Sequence, residues 1–141
     1  MAGAANRGIR SVPKSGLRLL VVDDEAITAA AMEQLLEDAG HIVAVANSQG
    51  EALAVAGRLA ELDAAVVDLQ LPDGPGSEIV TALRERWQGL PVVISTGYAL
   101  DAGDRAAFGP SAGRAVLLKK PWTEQELLAA LEKATAALPQ H

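Results

Sequence analysis

Five short, mostly apolar runs punctuate the chain, over residues 17–22, 41–46, 64–67, 91–95 and 115–118. Strands with one wet face alternate apolar and polar residues, whereas strands buried on both faces read as continuous apolar runs. The stretches between the runs carry helical spacing instead. Ile27, Ala31 and Leu35 recur every four residues, with Met32, Leu36 and Ala39 beside them, until Gly40 stops the helix. Ser48-Gln49-Gly50-Glu51 fits a capping box, and the helix it opens runs to about Glu61. Residues 78–88 are periodic through Ile79, Leu83 and Trp87, and residues 101–108 have room for a short helix among Gly103, Gly109, Pro110 and Gly113. Thr123-Glu124-Gln125-Glu126 is a second capping box, and Leu127, Leu128, Leu131 and Leu138 stripe a final helix. Five strands alternating with five helices predict an α/β fold, a doubly wound five-stranded parallel sheet covered on both faces.

Composition narrows the function. The 141 residues suffice for one ordinary domain, and with 50% of them hydrophobic a disordered chain is excluded. Only four are aromatic, so Ala, Leu and Val must build the core. Residues 1–16 carry Arg7, Arg10 and Lys14 without an acid and read as a flexible basic arm, while residues 17–141 form the domain with a net charge of −9. An acidic globule matches the nucleic-acid backbone poorly, so nucleic-acid binding by this chain is not expected. Cysteine is absent, which removes disulfides and thiolate metal sites. No apolar run approaches the ~20 residues of a membrane span, and no signal-peptide core is present. The expectation is a cytoplasmic domain.

In open parallel sheets, ligands bind outside the carboxyl ends of the strands. Here those ends carry Asp23-Asp24-Glu25, Asp68, Ser95-Thr96-Gly97 and Lys119-Lys120. Singly, each has an ordinary structural reading: acids capping a helix, a turn-forming Asp, a strand-end hydroxyl, a solvated lysine. Those readings do not predict all four on one rim. Clustered carboxylates without Cys or a nearby His suit Mg²⁺ or Mn²⁺. A carboxylate beside such a cation can attack phosphorus, with the Lys ammonium and the Thr hydroxyl sharing the charge on the phosphoryl oxygens. His41 has no second His near it and is not read as a ligand. Trp122 is read as packing, and Ser95 as core-facing because alternation sets it opposite Thr96.

With these residues in view, the sequence resembles the receiver domain of two-component response regulators. The resemblance rests on Val21-Val22-Asp23-Asp24-Glu25, on residues 66–74 (VVDLQLPDG), on residues 91–97 (PVVISTG) and on Leu118-Lys119-Lys120-Pro121-Trp122. It spans residues 17–138 and implies the flavodoxin-like strand order 2-1-3-4-5. It also implies that Asp68 accepts a phosphoryl group from a histidine kinase or histidine phosphotransfer protein. Asp23 and Asp24 would hold Mg²⁺ with Asp68 and the backbone carbonyl of Gln70. Lys120 and Thr96 would meet the phosphoryl oxygens, as would the amides of Leu69 and Gly97. The bond before Pro121 would be cis. Such a module signals through contacts with a downstream protein, as a monomer or a weak phosphorylation-dependent dimer. It would catalyse only its own aspartyl phosphorylation and dephosphorylation, and with the last helix close to residue 141 no output domain is expected.

Two positions depart from the family pattern. Leu117 stands where many receivers carry the Tyr or Phe that reports phosphorylation, and Gly97-Tyr98 opens an unusual segment, leaving Tyr98 or residues 98–113 to do the reporting. A degenerate receiver acting as a phosphorylation-independent adaptor is therefore an alternative. An aspartate-nucleophile phosphatase is another, but it typically needs an acid two residues after the nucleophile, where this chain has Gln70.

Overall fold

The continuous apolar runs are the strands of one parallel sheet. The computed structural model describes residues 16–97 and 113–136. Counting only strands of the main sheet, these are β1 (Arg18–Val22), β2 (Ile42–Ala46), β3 (Ala64–Asp68), β4 (Gly89–Thr96) and β5 (Gly113–Lys119), in the order β2-β1-β3-β4-β5. Four helices are described: α1 (Ala26–Asp38), α2 (Gln49–Arg58), α3 (Gly76–Arg86) and α4 (Glu124–Thr135). The expected helix over 101–108, Tyr98, Leu138 and the arm as far as residue 15 lie outside the described residues.

Register explains why the runs are apolar throughout. Val21 pairs with Val66, Val66 with Val93, and Val93 with Val116, so one row crosses the sheet on a single face. That face buries Leu19, Val21, Val66 and Val93 against Met32 and Leu36 of α1 and Leu127, Ala130 and Leu131 of α4. The intervening residues Leu20, Val22, Val67, Val92 and Ile94 pack on the other face against Ala52 and Ala56 of α2 and Ile79, Val80 and Leu83 of α3. Each central strand thus serves two cores and, from Leu19, Ala64 and Leu90 onward, holds no polar residue until its carboxyl end.

Local signals set most helix ends. Gly40, at φ 99°, closes α1: its N–H donates to the Glu37 carbonyl at 2.9 Å and the His41 N–H to that of Leu36 at 3.1 Å. This double bond requires a left-handed residue, which glycine supplies without strain. At α4, Thr123 Oγ1 accepts the Glu126 N–H and Glu126 Oε1 accepts the Thr123 N–H, a complete capping box. The box expected at α2 is altered. Ser48 Oγ accepts the Glu51 N–H at 3.1 Å, but the Glu51 carboxylate takes the N–H of Asn47, one residue earlier. Helix α2 also stops at Arg58 rather than near Glu61, where the Arg86 guanidinium from α3 binds the carbonyls of Ala56 and Leu59. Helix α3 begins at Gly76, two residues before the periodicity starts. Lys120-Pro121 is cis, as expected.

Candidate functional site

Strands β1 and β3 lie side by side, and both runs end in aspartate. The Asp23 N–H donates to the Ala46 carbonyl at 3.1 Å, and Asn47 Nδ2 donates to the Asp23 carbonyl at 2.9 Å, which fixes the turn out of β1. Carboxylate oxygens of Asp23, Asp24 and Asp68 all fall within 4.8 Å of one another. Asp23 is 1% and Asp68 5% exposed, whereas Asp24 is open to solvent. From the end of β5, Lys120 reaches across: its Nζ lies 3.0 Å from Asp68 Oδ2, 3.4 Å from Asp23 Oδ2 and 3.9 Å from Glu25 Oε1. The Lys120 N–H donates to the Thr96 carbonyl at 2.8 Å, which ties the lysine to the end of β4.

The capping and the ligand readings of Asp23 hold together. Its Oδ1 accepts the Glu25 N–H at 2.9 Å, at the entry to α1. Its Oδ2 is buried without a hydrogen-bond partner and meets Lys120 only at ion-pair distance. Burial pushes the Asp23 carboxyl above its ordinary value, outweighing the Glu25 amide and the Lys120 charge. For Lys120, burial alone would lower the pKa. The hydrogen bond to Asp68 and the charge of Asp23 prevail, and the ammonium is held above its usual value. An all-oxygen cluster with one orphaned, desolvated carboxylate oxygen fits a hard divalent cation, which would supply the charge that one lysine lacks.

Thr96 is buried at the end of β4 and Gly97 follows it, exposed. The Leu69 amide is the other backbone donor that the resemblance implies. It donates to the Ser95 carbonyl at 3.0 Å, continuing the sheet pattern one residue past β3. The backbone donor that meets Asp68 is that of Gln70, at 3.0 Å from Oδ1. Ser95 is buried, as alternation implied, but its register partner is Asp68. Leu117, in place of the family aromatic, is 44% exposed. His41 is buried, and its Nδ1 accepts the Leu17 N–H at 3.3 Å, a structural role. Trp122 packs against the α1–α4 core.

One site feature had no sequence signal. Gln70–Leu71 and Gly74–Pro75 form a two-residue antiparallel ladder whose turn is latched to α2. Asp73 Oδ1 accepts the Gln49 N–H at 2.8 Å and Oδ2 the Gly50 N–H at 3.0 Å, while Gln49 Nε2 donates to Glu78 Oε1 at 2.9 Å. These amide bonds hold the Asp73 carboxyl below its ordinary value. A group depressed on folding contributes stability above its unfolded pKa of about 3.9, and loses it as pH falls through the folded value. Asp73→Ala is therefore expected to destabilise the domain at neutral pH and to flatten the acid limb of its stability curve below about pH 4. Urea melts of both proteins across that range check this. Equal slopes would show that the latch carries no linkage.

Comparison with known proteins agrees with this geometry. The sequence profile of the response regulator receiver domain matches residues 19–132. The chain is 34% identical over 115 residues to the transcriptional regulatory protein CusR of Escherichia coli K12, covering 80% of this chain and 48% of CusR. It is 35% identical over 121 residues to the photosynthetic apparatus regulatory protein RegA of Cereibacter sphaeroides, covering 86% of this chain and 64% of RegA. Thus it spans about half to two thirds of these curated relatives. Among solved structures, a response regulator receiver protein of Sinorhizobium medicae superposes with a TM-score of 0.74 at 30% identity, covering 86% of this chain and 96% of the other. No helix among the described residues is long and apolar enough to cross a membrane. A parallel sheet in the order β2-β1-β3-β4-β5, with an aspartate cluster and a lysine at its carboxyl rim, carries the profile of one signalling family: the chain belongs to the response regulator receiver domains of two-component systems.

Proposed function

We propose that this domain takes a phosphoryl group onto Asp68 from a phosphohistidine on a kinase or phosphotransfer protein. The observation that carries the reading is the convergence of three carboxylates on one point, with Lys120 Nζ 3.0 Å from Asp68. In the transfer, an oxygen of Asp68 attacks phosphorus, the bond from phosphorus to the imidazole nitrogen breaks, and the imidazole leaves with that electron pair. Mg²⁺ held by Asp23, Asp24, Asp68 and the Gln70 carbonyl would neutralise the phosphoryl oxygens and the repulsion among the aspartates. Lys120 supplies a fixed positive charge, which its raised pKa maintains through the neutral range. Thr96 offers a hydroxyl and Gly97 an amide at the end of β4. The Leu69 amide would join them by leaving the Ser95 carbonyl, and the Gln70 amide already donates to Asp68 Oδ1.

The domain would act in the cytoplasm by changing its contacts with a downstream protein when phosphorylated. Incubation with Mg²⁺ and acetyl phosphate, followed by intact mass measurement, tests the reading. One added phosphoryl group is expected, dependent on Mg²⁺ and absent from Asp68→Asn. An unmodified parent, also inert toward a phosphorylated histidine donor, would favour the phosphorylation-independent adaptor.

A further inference from the structure

Two buried side-chain oxygens of the described residues lack a hydrogen-bond partner, Asp23 Oδ2 and Ser95 Oγ. They belong to one row. In a parallel sheet, register partners project to the same face. Val22 pairs with Val67, so Asp23 and Asp68 are the next positions on adjacent strands, while Asp68 pairs with Ser95 and Ser95 with Leu118. The row continues the face of Val21, Val66 and Val93 by one step of alternation. Asp68 is thus flanked by Asp23 on one side and by a serine on the other.

A buried hydroxyl without a partner costs about 1–3 kcal/mol relative to an alanine of the same packing. Ser95 is 1% exposed and directly follows the apolar run Leu90–Ile94, where alanine or valine would serve the core. Buried polar groups in native proteins are nearly always paired, and a second state of the molecule is one way to supply the partner. We infer that Ser95 is a positioning residue of the loaded pocket, its hydroxyl donating to the Asp68 carboxylate side when phosphoryl and Mg²⁺ draw Lys120 and the carboxylate oxygens into new positions. The register sets the two side chains on neighbouring strands and one face, and the unpartnered hydroxyl has no bond to break first. This role is distinct from that of Thr96, which alternation sets on the opposite side of the strand.

The inference rests on the proposed phosphoacceptor site, and its test separates the two. Urea melts of the parent, Ser95→Ala and Ser95→Thr are compared without ligand, with Mg²⁺, and with Mg²⁺ plus beryllofluoride, a phosphoryl mimic that forms on carboxylates. Without ligand, Ser95→Ala is expected to match or exceed the parent in stability. With beryllofluoride, its apparent affinity is expected to fall about tenfold, the worth of one hydrogen bond to a charged group, and Ser95→Thr is expected to recover most of it. A merely structural serine would shift all three conditions alike. Equal beryllofluoride affinity in parent and Ser95→Ala would overturn the role of Ser95 alone. No response in the parent would overturn it together with the phosphoacceptor reading.

Discussion

Lys120→Met is expected to unfold at markedly lower urea in Mg²⁺-free buffer, by about 2–3 kcal/mol, and to regain most of that stability with millimolar Mg²⁺. The ammonium lies against Asp68 and Asp23 at 3.0 and 3.4 Å, and among the described residues it is the cation that pairs with them. Removing it leaves two buried carboxylates facing each other, one of them already desolvated. Breaking a fully buried pair costs about 3–5 kcal/mol, and the 25% exposure of the lysine side chain places this case below that range. Phosphoryl uptake should slow by about a hundredfold, the scale of losing one fixed electrostatic donor at a reacting oxygen. Asp23→Asn should do the opposite to stability, raising it without Mg²⁺ and weakening the response to the ion. A Lys120→Met protein as stable as the parent without Mg²⁺ would show that the aspartates do not strain the apo fold.

The second large effect is expected at Gly76, where α3 begins against the end of β3. A Cβ there would lie 2.2 Å from the Asp68 carbonyl oxygen, 3.1 Å from its carbon and 3.0 Å from Val67 Cγ1. Two of those neighbours are backbone, which cannot rotate away as a side chain would. The Gly76 N–H also donates to the Leu69 carbonyl at 2.9 Å, closing the turn that follows Asp68. Gly76→Ala should therefore cost about 3 kcal/mol and displace Asp68 itself, so that Mg²⁺-dependent phosphoryl uptake falls with stability. Gly57→Ala is the control. That glycine lies in α2, where an added methyl group would meet nothing within 4 Å, and alanine there should stabilise by about 0.5–1 kcal/mol. If both substitutions behaved alike, the close approach at Gly76 would be irrelevant.

These two cases mark what the sequence could and could not disclose. The strands were legible because burial on both faces writes itself into consecutive residues, and the Asp, Thr and Lys stand at strand ends because the apolar runs stop there. Gly40 and the Thr123–Glu126 box are local signals, and each ends or opens its helix where the sequence places it. What escaped was carried by residues distant in sequence. The approach of Gly76 to Asp68 depends on how α3 packs on β3, and the early end of α2 depends on Arg86 from another helix. The Asp73 latch needs the amides of Gln49 and Gly50, which no local pattern connects to it. Ser95 shows the boundary within one residue. Alternation alone implies its burial, but only the register of β3 against β4 sets it beside Asp68.

The central claim is that the phosphoryl group resides on Asp68, and direct localisation tests it. An aspartyl phosphate is an acyl phosphate, so borohydride reduces it to homoserine and leaves unmodified aspartate intact. After treatment with acetyl phosphate and Mg²⁺, then borohydride, peptide mass mapping is expected to find homoserine at position 68 and unchanged aspartates at 23 and 24. Homoserine at Asp23 or Asp24, or at none of the three in a protein that has gained a phosphoryl group, would contradict the account.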